Sequence, residues 1–208
     1  MNPATEGKRR RRRPEEAERE IVEAAQSLLM ERPANEVTVG AIMEATTLSR
    51  KSFYVYFDNR YDLLRRLVEP LAAERDAIIA PLLAPGVDMA TGAREALVRL
   101  AELYAAHGRL LRALAEASSE DHEAKRAWRE FLDPVIEAHS AKIADEIDRG
   151  RIRGIEAEPT ARALIGMNLQ YFFDELVDAP DPNPEAAAET LLVLWQRALY
   201  FRADRGSR

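Results

Sequence analysis

The stretch that most constrains this chain is VTVGAIMEATTLSRKSFYVYFDNRYDLLRRLV, residues 37–68. Val39, Ile42 and Met43 recur at helical spacing in a first short segment. A break at Thr46–Leu48 follows, with Leu48 directed back into the core, and a second short helix starts after Ser49, a favourable N-cap residue. That helix presents Arg50, Lys51, Ser52 and Tyr54, while Phe53 and Phe57, four residues apart, are assigned to the core. Asn59 is placed to cap a third helix, with Asp62 at its N3 position, and Leu63, Leu64, Leu67, Val68 and Leu71 supply its apolar face. Two short helices joined by a tight turn form a helix-turn-helix. Its second helix fits the major groove of B-DNA, about 12 Å wide. Arg and Lys pair there with guanine edges or phosphates, and hydroxyl side chains donate to phosphates.

The remaining chain has the same helical character and shows no alternating strand pattern. Ile21, Ala24, Ala25, Leu28 and Leu29 predict a helix from Glu15 to near Pro33. Further stripes run through Leu97, Leu100, Ala101 and Tyr104; through Trp128, Phe131, Leu132, Val135, Ile136, His139, Ile143 and Ile147; and through Leu164, Ile165, Asn168, Phe172 and Leu176. Pro134 interrupts the second of these, which predicts a kink or restart at Asp133–Pro134. The last stripe starts at Pro184, with Asn183 as N-cap, and carries Leu191, Leu192, Trp195, Ala198 and Leu199. Linkers rich in Pro or Gly fall at Pro85–Gly92, Gly150–Pro159 and Ala179–Pro184. The expected fold is all-α, with about nine helices. Its parts are a disordered basic arm (1–14), a three-helix helix-turn-helix domain (15–68), and a helical effector-binding and dimerisation domain (69–208).

Charge distribution agrees with DNA binding although the chain of 208 residues carries a formal net charge of −6. Residues 1–66 hold 13 Lys/Arg against 11 Asp/Glu, and residues 67–208 hold 17 against 25, so the positive excess is N-terminal. It is concentrated in Lys8–Arg13, which is expected to reach along the DNA backbone or into the minor groove. A locally basic surface is what binding requires. No apolar run approaches the roughly 20 residues that span a bilayer, so a cytoplasmic protein with no membrane partner is expected. There is no Cys. His107, His122 and His139 are too scattered for a metal site, and no cofactor is expected. Phosphate loops, nucleophile elbows and HExxH pairs are absent from the sequence, which speaks against an enzyme. The alternative to a DNA regulator is a ligand-binding or protein-interaction helical module that no longer recognises an operator.

Residues 15–68 resemble the DNA-binding domain of the TetR family of bacterial regulators. The likeness rests on Ser49, the aromatic pairs Phe53–Tyr54 and Tyr56–Phe57, the basic Arg60 after the turn, and Leu63–Leu64. A further likeness, to the subgroup of the mycobacterial ethionamide-resistance repressor, rests on Trp128 with Phe131, Asp148–Gly150, Met167–Asn168, and Trp195 with Tyr200. The family usually has Ala-Gly where this chain has Thr46-Thr47. Positive φ is costly for a β-branched residue, so a remodelled turn is expected.

The resemblance implies a homodimer that binds double-stranded operator DNA, in pseudo-palindromic half-sites, and releases it when a small apolar effector binds. Arg50 and Lys51 are expected at bases or adjacent phosphates. Thr38, Ser49, Ser52, Tyr54, Tyr56 and Arg60 are expected mostly to position the helix. An effector pocket is expected from Leu100, Tyr104, Trp128, Leu132, Ile165, Asn168 and Phe172, with Asn168 as its polar anchor. No charge falls on those stripes, so the effector is expected to be uncharged. Trp195, Leu191, Leu192 and Leu199 are assigned to a dimer face or core made by residues 160–178 and 184–203.

Overall fold

The computed structural model describes residues 13–32 and 34–200. Among them lie α1 (Pro14–Glu31), a 3-10 turn (Ala34–Glu36), α2 (Val39–Glu44), α3 (Arg50–Tyr56), α4 (Arg60–Leu83), α5 (Met89–Glu120), α6 (His122–Asp148), α7 (Ala157–Phe172), a π-helical turn (Phe173–Val177) and α8 (Pro184–Tyr200). Of the basic arm, residues 1–12 lie outside the described residues. Eight α-helices stand where about nine were expected. The helix whose apolar stripe was followed to Leu71 runs on to Leu83 through Pro70 and Pro81, and the one expected to kink or restart at Pro134 does not restart there. Each proline removes one ladder hydrogen bond, and the neighbouring turns, packed on both sides, hold the helix through the defect.

Caps fall where short polar side chains precede apolar periodicity. Thr38 Oγ1 accepts from the Ala41 amide at 3.2 Å. Asn59 Oδ1 accepts from the amides of Tyr61 at 2.8 Å and Asp62 at 3.0 Å. Asp62 reaches back to the Asp58 amide at 3.3 Å, so the reciprocal box closes one residue outside the cap. Asn183 likewise caps α8, accepting from the Ala186 amide at 3.0 Å. Ser49 departs from its expected role. It sits at the N-cap position of α3, but its hydroxyl pairs with Ser52 Oγ at 3.0 Å and receives no amide.

The turn between α2 and α3 is remodelled without strain. No described residue other than glycine has positive φ. Thr46 Oγ1 donates to the Met43 carbonyl at 2.9 Å and accepts from the Leu48 amide at 3.2 Å. The Thr47 amide and hydroxyl both donate to Glu20 Oε1 of α1, at 2.6 and 2.7 Å. Threonine hydroxyls and a carboxylate thus supply the partners that the tight turn leaves unpaired.

Helices α1 to α3 and the first half of α4 bury Ile21, Ile42, Phe53, Phe57 and Leu63 together. The second half of α4 instead buries Ile78, Ile79 and Leu82 among the C-terminal helices, and α5 lies against α4, α6, α8 and the π-helical turn. The approach of α5 to that turn depends on Gly108, because a Cβ there would overlap Val177 Cγ2. Valine is stiff at χ1 and cannot swing aside cheaply. Gly108→Ala is therefore expected to destabilise the fold by about 1–3 kcal/mol through overpacking. The helix-propensity gain offsets at most about 1 kcal/mol of that. Thermal melting checks this: a midpoint equal to or above the wild type would show that the π-helical turn yields freely.

Candidate nucleic-acid interface and effector cavity

Helix α3 offers one solvent face. Arg50, Lys51, Tyr54 (57% exposed) and Val55 (73% exposed) lie on it, flanked by exposed Thr38 and Ser49 and half-buried Ser52. The opposite face is closed by Phe53 and Phe57, whose rings pack 5.4 Å apart in the core as expected. Among the described residues no carboxylate pairs with Arg50 or Lys51. Arg65 and Arg66 of α4 are instead paired, with Asp62 at 2.9 Å and Glu18 at 3.1 Å. The two α3 cations are thus available for an external anion.

The remaining expected contact residues divide. Tyr56 is half-buried against the core. Arg60 is turned inward: Nη1 donates to the Ala34 carbonyl at 3.3 Å, Nη2 to the Tyr61 hydroxyl at 3.2 Å, and the guanidinium lies 5.0 Å from the Tyr61 ring centroid. It braces the 3-10 turn. Val55 was absent from the sequence-based set, although an apolar side chain four residues after Lys51 on a solvent face is itself a signal.

A mostly apolar cavity lies between the second half of α4 and helices α5, α6, α7 and α8. Leu100, Tyr104, Leu132, Ile165, Asn168 and Phe172 all line it. Tyr104 and Phe172 pack ring to ring at 5.0 Å. Trp128 does not line it. Its ring stacks on Phe131 at 5.6 Å and supports the wall from behind.

Two expectations about the cavity need correction. Trp195 is a wall residue, and Leu191 and Leu199 are equally buried inside the subunit. Trp195 Nε1 donates to Asn168 Oδ1 at 2.8 Å. Indole is a donor only, so this contact fixes the amide orientation and leaves Asn168 Nδ2 as the free donor. The wall also contains a charge: Arg75 of α4 is 4% exposed and lines the cavity. Its Nη1 donates to the Phe131 carbonyl at 2.6 Å, Nε and Nη2 donate to Asp76 at 2.9 and 2.7 Å, and the guanidinium sits 4.5 Å from the Phe131 ring centroid. An arginine on an apolar stripe reads as surface, which is why the sequence concealed it.

His139 is part of the cavity wall. Its Nδ1 lies 2.8 Å from the Val135 carbonyl, which can only accept, so Nδ1 carries the hydrogen and Nε2 is an acceptor. Burial, with the Arg75 charge adding to it, lowers its pKa and keeps the ring neutral. Burial raises the pKa of the Tyr104 phenol and keeps it a neutral hydroxyl. No group of three or more metal-ligating side chains occurs among the described residues, and no described helix is long and apolar enough to cross a membrane.

On the outside, α8 exposes Val193 (45%) and Leu194 (41%), with Leu192 half-buried. Beside it α7 exposes Ala163 and Gly166, and a Cβ on Gly166 would meet nothing within 4 Å.

A helix-turn-helix with one uncompensated basic face, joined by a continuous helix to a domain enclosing an apolar cavity, defines a two-part regulator. The chain belongs to the TetR family of bacterial regulators. Residues 21–67 match the family model for bacterial regulatory proteins of the tetR family, and residues 93–201 match the C-terminal domain of the transcriptional regulator EthR. It is 28% identical over 201 residues to the HTH-type transcriptional regulator EthR of Mycobacterium tuberculosis, covering 92% of each chain. To EthR of Mycolicibacterium smegmatis it is 29% identical over 205 residues, covering 92% of this chain and 91% of the relative. The crystal structure of NalD, the secondary repressor of the MexAB-OprM multidrug efflux pump in Pseudomonas aeruginosa, superposes with a TM-score of 0.74 at 21% identity. That match covers 92% of this chain and 100% of NalD. The protein is a transcriptional regulator with a helix-turn-helix DNA-binding domain.

Proposed function

We propose that this regulator is a homodimeric repressor that binds a pseudo-palindromic operator through α3 of each subunit and lets go when a ligand with an apolar body fills the cavity. One observation carries the reading. Helix α4 buries Leu63, Leu64 and Leu67 in the DNA-binding module and, in the same rigid rod, lines the cavity with Arg75, Ile79 and Leu82. A ligand that seats better with α4 tilted moves both recognition helices at once. Arg50 and Lys51 take base edges or phosphates, and Thr38, Ser49, Ser52, Tyr54 and Tyr56 position them. Arg60 acts from behind, by bracing the turn. The division into residues 15–68 and 69–208 is a functional one, since α4 crosses it without a break.

Two-fold symmetry places the half-sites one or more helical turns apart. Asn168 Nδ2 orients the ligand in the cavity. Asn168→Leu would also strip Trp195 of its acceptor, so it tests anchoring and packing together. The decisive experiment is reciprocal. Fluorescence anisotropy with labelled duplex from the chain's own upstream DNA gives the operator affinity, and a ligand recovered by screening is titrated with and without that duplex. Linkage requires the ligand to weaken DNA binding by the same factor that DNA weakens ligand binding. Equal ligand affinities in the two titrations would sink the switch. No binding to upstream DNA at low salt would sink the operator reading itself.

A further inference from the structure

We propose that the cavity takes an apolar-tailed carboxylate, with Arg75 receiving the head group. This rests on the cavity being the effector site. Arginine stays protonated at any physiological pH, so the wall carries a full positive charge. Burying such a group is costly unless it is paired and hydrogen-bonded. Its one carboxylate partner is Asp76, the next residue on α4, whose side chain is 52% exposed against 5% for Arg75. A half-solvated carboxylate of this kind is a weak counterion.

Donor arithmetic points the same way. A guanidinium has five N–H groups. Three are engaged, by the Phe131 carbonyl and twice by Asp76. The other two, one on each terminal nitrogen, have no acceptor among the described residues. They match in number the two oxygens of a carboxylate, the ligand guanidinium binds best. The neighbouring wall is also rich in donors. Asn168 Nδ2 and the Tyr104 hydroxyl carry no hydrogen bond among the described residues, and both residues line the cavity with Arg75. His139 lies beside Trp195, ring centroids 5.5 Å apart, and Trp195 bonds Asn168, so these three share one part of the cavity wall. A neutral ester would meet one or two of the donors and leave the charge uncompensated. A cation would be repelled.

The position of Arg75 also gives the head group a lever. The Nη1 bond to the Phe131 carbonyl ties α4 to α6. A carboxylate that draws the guanidinium away loosens this tie on the helix that enters the DNA-binding module.

The test uses the full-length protein and two matched series: hexanoate, decanoate and hexadecanoate, and their methyl esters. Isothermal titration is expected to show at least one carboxylate binding tenfold or more tighter than its ester. Arg75→Gln is expected to abolish that preference. Arg75→Lys, which keeps the charge but loses the fork, is expected to fall between. The wild-type comparison decides even if a variant fails to fold. Esters binding as tightly as or more tightly than the acids, or a preference that survives Arg75→Gln, overturns the proposal and leaves the cavity reading intact. Binding of neither series overturns the proposal and counts against the cavity reading too.

Discussion

Replacing Arg50 and Lys51 together with alanine is expected to lower operator affinity at least a hundredfold and leave thermal stability unchanged. Both side chains are exposed and unpaired among the described residues, so the fold loses nothing when they are truncated. The dimer loses four cations at the DNA surface. A bidentate pair to guanine is worth about 1–3 kcal/mol of discrimination, and phosphate contacts add a salt-dependent share. The manner of loss separates their roles. If both contact phosphates, the slope of log affinity against log salt becomes shallower by about 0.9 per contact removed. If Arg50 reads guanine, its single replacement relaxes preference at one base pair in each half-site. Binding isotherms at several salt concentrations check this. Affinity within threefold of wild type would move the DNA interface away from α3.

The second large effect concerns assembly. Val193→Asp with Leu194→Asp is expected to convert the dimer to a monomer, read as a halved mass in light scattering, and to cost operator affinity as a consequence. In the isolated subunit these are the two large apolar side chains of α8 that face solvent. On α7, which touches α8, Ala163 and Gly166 are exposed and small, which allows a partner helix to approach α7 closely. Two such helices from each subunit make an isologous four-helix bundle. Two carboxylates per subunit, facing their symmetry mates, would bring like charges into its centre. Leu192 with Trp195, both among the residues assigned to a dimer face or core, would be a poorer choice. Trp195 is buried in the subunit against Asn168, so its replacement would damage the cavity wall before it tested the interface. A Val193/Leu194 double variant that remains dimeric would exclude this face.

The DNA-binding half was legible because its signals are local. The cap at Asn59 depends on residues within four positions, as do the Phe53–Phe57 pair and, further along the chain, the cap at Asn183, and these form as the spacing implied; the cap expected at Ser49 does not. Arg60 shows where local reasoning stops. It stands at the family's basic position, yet its guanidinium is spent on Ala34, a residue distant in sequence. The Thr46–Thr47 turn shows the same limit, since the partner that relieves it, Glu20, belongs to α1.

By itself, the sequence determined the helical character, the caps at Asn59 and Asn183, the helix-turn-helix and the set of apolar stripes, because a 3.6-residue period and a capping side chain act within one turn or two. Tertiary structure decided what each stripe faces. It set Trp195 into the cavity wall and Trp128 behind it, joined Asn168 to an indole, and put the Arg75 charge inside an apolar space. A stripe specifies that a face is buried but not against which neighbour. That choice follows from how the long helices α4, α5 and α6 cross, and from contacts such as Gly108 on Val177 that bring residues far apart in the chain within reach.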